Sequence, residues 1–137
     1  MSFVLDNSVA LAWCFEDEQS PPIMALLDRV VETGAMAPLL WPLEALNGLL
    51  VAERRRRLDA AKRAELAGLL RALPITLDEE TADKAWEDTV QLAEAFRLSV
   101  YDATYLELAQ RRRLPLASLD RALRNAAAAL GVEVLLA

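Results

Sequence analysis

Short apolar runs alternate with longer amphipathic stretches along the whole chain, and this alternation admits few folds. Residues 2–5 form an apolar run suited to a buried strand, closed by Asp6, Asn7 and Ser8, any of which caps a helix. Pro21-Pro22 starts a helix in which Ile23, Leu26, Leu27, Val30 and Val31 keep helical spacing, and Gly34 ends it. Residues 35–37 read as a brief extended segment. Pro42 opens a helix that carries Leu43, Leu46, Leu49 and Leu50 into Arg54 to Arg57. A further helix uses Leu66, Leu69, Leu70 and Leu73 before Pro74 stops it. Residues 75–77 read as strand and 79–98 as helix, with Ala82, Trp86, Val90, Ala93 and Phe96 on one face. Ser99 begins the next helix, which ends near Arg113. A strand over 116–119, a helix over 120–130 closed by Gly131, and a last strand over 132–136 complete the pattern. Strands separated by amphipathic helices imply right-handed crossovers, hence an α/β fold whose mainly parallel sheet is covered on both faces. Strand order does not follow from the pattern.

The chain has 137 residues, which suits one domain, 1–137, with one filled core. Hydrophobic residues make up 55% of it, which excludes a disordered chain. Charged residues interrupt every apolar stretch before it could span a bilayer. The first residues carry no basic segment ahead of their apolar stretch, so no secretory signal is expected. Cys14 is the only cysteine, which rules out an intrachain disulfide and fits a reducing, cytoplasmic setting. With no histidine or other base to accompany it, Cys14 reads as a small buried apolar residue.

The absence of histidine does more to narrow the chemistry. It removes Ser-His-Asp and Cys-His catalysis and every imidazole-based zinc site. A hydrolase built from this sequence must work with carboxylates, hydroxyls, Lys or Arg, or with a hard metal held by oxygen. The net charge of −6 weighs against a nucleic-acid partner, but distribution counts for more than the sum. Arg54 to Arg57 and Arg111 to Arg113 are two basic runs, which suit either a polyanion or the solvated ends of helices.

Three acids, Asp6, Asp102 and Asp120, fall where a strand gives way to a helix or in the first helical turn. In an open parallel sheet such positions share the edge formed by the strand carboxyl ends. Glu44, two residues after Pro42, lies in the first turn of its helix and is placed to reach the same edge. Each acid also has an ordinary explanation as a helix cap or dipole partner, worth roughly 0.3–1 kcal/mol. Ser99-Val-Tyr-Asp102 is even a capping-box pattern. If the four converge, however, two unit charges ~4 Å apart repel by roughly 4 kcal/mol at an effective dielectric near 20, more than capping returns. Such a cluster needs protons or a cation, and all-oxygen ligands select Mg²⁺ or Mn²⁺.

Four segments occur in order: Val4-Leu5-Asp6-Asn7-Ser8, Pro42-Leu43-Glu44-Ala45-Leu46-Asn47, Tyr101-Asp102-Ala103-Thr104-Tyr105-Leu106 and Leu116-Ala117-Ser118-Leu119-Asp120. Together they resemble the PIN-domain ribonucleases, and among them the VapC-type toxins of type II toxin–antitoxin systems. The resemblance covers essentially the whole chain. It implies a three-layer α/β/α sandwich with an acidic pocket for one or two Mg²⁺ ions, Mn²⁺ serving as a substitute. By match, Asp6 and Asp102 would be metal ligands, Glu44 a third acid acting directly or through water, and Asp120 a fourth. Ser8 and Ser118 would support them by hydrogen bonds, Ser118 standing where Thr is commoner. Asn47 matches a recurring Asn, although a helix-surface amide explains it as well. The resemblance further implies an RNA substrate, a homodimer and a cognate, VapB-like antitoxin. Trp13, Phe15, Trp41 and the helix from Leu43 to Ala52 offer apolar surface compatible with such partners, although ordinary core packing is the better explanation of any single one of them.

Two other readings compete. A phosphoryl-transfer protein of haloacid-dehalogenase or receiver type also gathers acids at strand ends. The former needs Asp-x-Asp where this chain has Asp6-Asn7-Ser8; the latter needs a late lysine, and Lys62 and Lys84 are misplaced for it. The other is a non-catalytic binding module on the same fold, its acids capping helices or docking a basic peptide.

Overall fold

A computed structural model describes residues 2–136 of the chain, so the terminal residues Met1 and Ala137 of the expected 1–137 domain lie outside the described residues. The strands are β1 (Val4–Leu5), β2 (Ala35–Pro38), β3 (Ile75–Asp78), β4 (Leu116–Ala117) and β5 (Val134–Leu135). The helices are α1 (Asn7–Cys14), α2 (Pro21–Thr33), α3 (Trp41–Arg54), α4 (Ala60–Ala72), α5 (Thr81–Lys84), α6 (Val90–Phe96), α7 (Val100–Arg112) and α8 (Arg121–Ala129). A 3₁₀ turn, Glu16–Glu18, follows α1, and a π-turn, Ala85–Thr89, joins α5 to α6.

Every strand pair is parallel, in the order β3-β2-β1-β4-β5. The chain builds outward from β1 to one side, then returns and builds to the other. The order therefore reverses between β1 and β4, the place where open parallel sheets form their ligand crevice. The strands facing that crevice are short. Leu116 and Ala117 pair with Val4 and Leu5, but the expected strand over 116–119 stops there because Ser118 and Leu119 turn away to bond with α1 residues. The final strand is likewise Val134–Leu135, not 132–136.

Gly34 ends α2 at φ +77°, and a Cβ there would lie 3.0 Å from the Pro74 carbonyl oxygen, so only glycine fits. Where α1 crosses α3, a Cβ on Gly48 would strike the Leu11 side chain. The missing side chain leaves room for Leu11 between the two helices.

Helix α7 is the centre of the molecule. Every residue from Ala103 to Ala109 is buried, and the helix touches β1, β2, β4, α6, the π-turn and α8. A helix buried all round needs its polar groups paired internally. Arg111 does this for Glu107 (Nε to Oε2, 2.8 Å), and it also reaches Asp78 at the end of β3 (Nη2 to Oδ2, 2.6 Å) and Glu80 (3.1 Å). Arg111 is thus committed inside the fold, whereas Arg112 and Arg113 are exposed.

One expectation needs correction. The helix over 79–98 exists, but Ala82, Trp86 and Val90 do not face the core, and Trp86 is 85% exposed. The π-turn adds a residue to the helical cycle, so the inward face becomes Ala85, Thr89, Leu92, Ala93 and Phe96. Trp13 and Trp41 take the core-packing alternative and are buried, while Leu43 and Leu46 on α3 are exposed.

Burial pushes the Asp78 carboxyl up, but its bonds from Arg111, the Glu80 N–H and the Thr81 hydroxyl outweigh this and hold it below its ordinary 3.8. The stabilisation is therefore complete above that value and is lost as pH falls through the lower folded one. Arg111→Ala should cost about 3–5 kcal/mol at neutral pH, because it strands two buried carboxylates. Urea melts should show the deficit shrinking below about pH 4, as the Asp78 carboxyl takes up its proton.

Candidate active site at the carboxyl edge of the sheet

Asp6 leaves β1 at the N-cap position of α1, yet its side chain makes no capping bond. Its oxygen Oδ2 accepts instead from two serines, Ser8 Oγ at 2.5 Å and Ser118 Oγ at 2.8 Å. Each hydroxyl is oriented in turn by a backbone donor from the segment after β4. The Leu119 N–H donates to Ser8 Oγ (2.9 Å), and the Asp120 N–H donates to Ser118 Oγ (3.0 Å). Two parallel relays thus tie the ends of β1 and β4 together at one carboxylate oxygen. Asp6 is only 5% exposed and Ser118 is fully buried.

The other acids arrive on helix N-termini. Glu44 sits in the first turn of α3, where the Tyr105 hydroxyl donates to its Oε1 at 2.6 Å. Asp102 sits in the first turn of α7, whose cap is Ser99, the Asp102 N–H donating to Ser99 Oγ at 3.0 Å. Asp120 caps α8 by accepting from the Leu123 N–H at 2.8 Å and is exposed. Ser99 caps α7 and Asp120 caps α8 while also being one of the four acids, whereas Asp6 turns its Oδ2 to two hydroxyls.

The acids feel one another. Burial raises the Asp6 carboxyl above its ordinary value in spite of the serine bonds. Burial also raises Glu44, with the charges of Asp6 and Asp102 adding to it and Tyr105 opposing. Asp102 is raised by burial, then by the charges of Asp6 and Asp120. Asp6, Glu44, Asp102 and Asp120 therefore share one electrostatic neighbourhood, although 114 residues (120 minus 6) separate the first from the last. They do not form a closed cage: among the described residues, no three His, Cys, Asp or Glu side chains are gathered as a set able to grip one ion. Like charges keep such groups apart.

The donor set is nonetheless the one a hard cation takes: carboxylate oxygens with hydroxyl support and no nitrogen or sulfur. Cys14 is remote in chemistry as well, its thiol pushed up to about 11 mainly by burial. Asn47 is an exposed amide on α3. Of the basic runs, Arg57 is held by Asp17 and Glu18 and lies over the Phe15 ring, leaving Arg54 to Arg56 exposed. Tyr105 lies within one of the four matched segments but had no role assigned to it from sequence. Its position three residues after Asp102, about one helical turn on, was the available signal.

The family described as PIN domain matches residues 3–129 of the chain. No curated protein matches it by sequence. Solved structures match by fold. PAE2754 from Pyrobaculum aerophilum superposes with a TM-score of 0.72 at 20% identity, covering 98% of this chain and 90% of the other. FitAcB from Neisseria gonorrhoeae gives 0.67 at 18% identity, over 97% and 96%. A toxin–antitoxin complex from Klebsiella pneumoniae gives 0.57 at 16% identity, over 87% of each chain.

Asp6→Asn keeps an oxygen for both serines and removes the buried charge. The wild-type carboxyl binds its proton more tightly folded than unfolded, so wild-type stability falls as pH rises from 3.8 through the raised folded value. The variant should therefore be more stable at neutral pH by about 1 kcal/mol, roughly 3–4 °C in Tm. Thermal melts in chelator should show that gain vanish below pH 3.8.

Proposed function

The chain belongs to the PIN-domain family, and from that premise we propose that it is a metal-dependent endoribonuclease, the toxic component of a type II toxin–antitoxin pair. One observation carries this reading: Asp6, Glu44 and Asp102, from three separate segments, are wholly or partly desolvated within one another's field where the strand order reverses, with Asp120 exposed at their margin. Desolvated acids so placed are far more use to a cation than to the fold.

Asp6 and Asp102 are the proposed direct ligands, with Glu44 and Asp120 acting directly or through water. When bound, Mg²⁺ or Mn²⁺ supplies a Lewis acid for the phosphodiester and lowers the pKa of a water molecule. The chain's own part is orientation. Ser8 and Ser118 fix Asp6 by donating to a single oxygen, and Ser99 anchors the turn that presents Asp102. The exposed Arg54 to Arg56 and Arg112 to Arg113 are available to a polyanion such as RNA, outside the acidic centre.

A partner antitoxin is supported by the fold relatives, since one is described as a toxin–antitoxin complex and another, FitAB, was solved bound to a DNA fragment. An apolar groove of about 650 Å³ between α3 and α4, lined by Leu46, Leu49, Ala67 and Leu70, offers a surface for it. A homodimer acting in the cytoplasm completes the proposal. Among the described residues no helix is long and apolar enough to cross a membrane.

A second reading, a non-catalytic module, draws on the lack of any three acids gathered as a ligand set. Titration separates the two. Mn²⁺ at 100 times its dissociation constant should stabilise the protein by about 2.7 kcal/mol, and Asp102→Asn should weaken Mn²⁺ binding at least about 10-fold, cutting that gain to about 1.4 kcal/mol or less, and reduce RNA cleavage at least about 10-fold. Purified protein that cleaves RNA equally well as Asp102→Asn, or that ignores Mn²⁺ in a melt, would favour the module.

A further inference from the structure

We infer that Tyr105 is a positioning residue for Glu44, fixing through its hydroxyl which carboxylate oxygen that acid offers to a divalent cation. The inference rests on the nuclease reading and deepens it. The Tyr105 ring is fully buried on α7, packed into the central core, so its phenol oxygen is a fixed point. From there it donates to Glu44 Oε1 at 2.6 Å, across 61 residues of sequence and between two different helices. A neutral donor on a charged acceptor is among the stronger hydrogen bonds.

The bond divides the two Glu44 oxygens. Oε1 is committed to Tyr105, while Oε2 has no hydrogen-bond partner among the described residues. Glu44 is half-buried and lies within the influence of Asp6 and Asp102, so a glutamate free to rotate would swing toward solvent to relieve repulsion. Tyr105 opposes that swing. It plays for Glu44 the part that Ser8 and Ser118 play for Asp6, and its helix also carries Asp102 one turn earlier. Tyr105 thereby couples two acids, one through its own helix and the other through its hydroxyl. Core packing alone would be met by phenylalanine; the hydroxyl needs this further explanation.

The test is Tyr105→Phe, which keeps the buried ring and removes only the oxygen. Mn²⁺ affinity, read by calorimetry in the full chain, should fall about 10-fold, and kcat on a single-stranded RNA should fall with it while KM stays unchanged. In a Glu44→Ala background, adding Tyr105→Phe should change Mn²⁺ affinity no further, because the acid it positions is gone. An unchanged Mn²⁺ affinity in Tyr105→Phe, or a loss that persists equally in the Glu44→Ala background, overturns the inference and leaves the nuclease reading standing. Wild-type protein that takes up no Mn²⁺ overturns both.

Discussion

A buried carboxylate held by two hydroxyls at the reversal of a parallel sheet is the constraint on which the rest of this structure depends. Asp6 could have capped α1 at its own position, a modest gain in stability. It accepts from Ser8 and Ser118 instead, and burial still leaves its carboxyl raised. The cost is carried because both serines are oriented by backbone N–H groups from the segment after β4. That segment cannot then continue as strand. The shortness of β4 and the fixing of Asp6 are one arrangement seen from two sides.

The surrounding architecture serves the same edge. Gly48 leaves room for Leu11 where α1 meets α3, and Glu44 at the start of α3 lies in the field of Asp6. Helix α7 supplies Asp102 at its start and Tyr105 one turn on, and it is held at its other end by Arg111 on Asp78 and Glu107. A helix clamped at its end and buried along its length moves as a rigid rod, so its first turn is placed by the core and not by a loop. Sites on such elements are held more accurately than sites on mobile segments.

Much of this was legible in the sequence where the signal is local. Pro21-Pro22 and Gly34 bound α2 as their chemistry requires, and Ser99 caps α7 as its spacing from Asp102 foretells. The positions of Asp6 and Asp120 after β1 and β4 were legible because a parallel sheet puts such positions on one edge, whereas Asp102 follows α6 and is carried by the first turn of α7. What stayed hidden has no local signature. Helices α6 and α7 end at Arg97 and Arg113 in the left-handed conformation, where glycine would have announced the stop. The π-turn at Ala85–Thr89 rotated Trp86 outward, because a single extra residue defeats any fixed helical period. Arg111 read as part of a basic run, since its partners Asp78 and Glu80 lie more than thirty residues away. The hydroxyl of Tyr105 was invisible for the same reason, its acceptor being 61 residues distant.

The helix N-termini sharpen the electrostatic picture. Helices α1, α3, α7 and α8 all begin at the edge that carries the acids, so four partial positive charges of roughly +0.5 each accompany four carboxylates. Partial positive charge at the start of α7 opposes the repulsion that raises Asp102, whose carboxylate has no basic side chain bonded to it among the described residues. The helix ends thus soften, without cancelling, the crowding of negative charge at this edge.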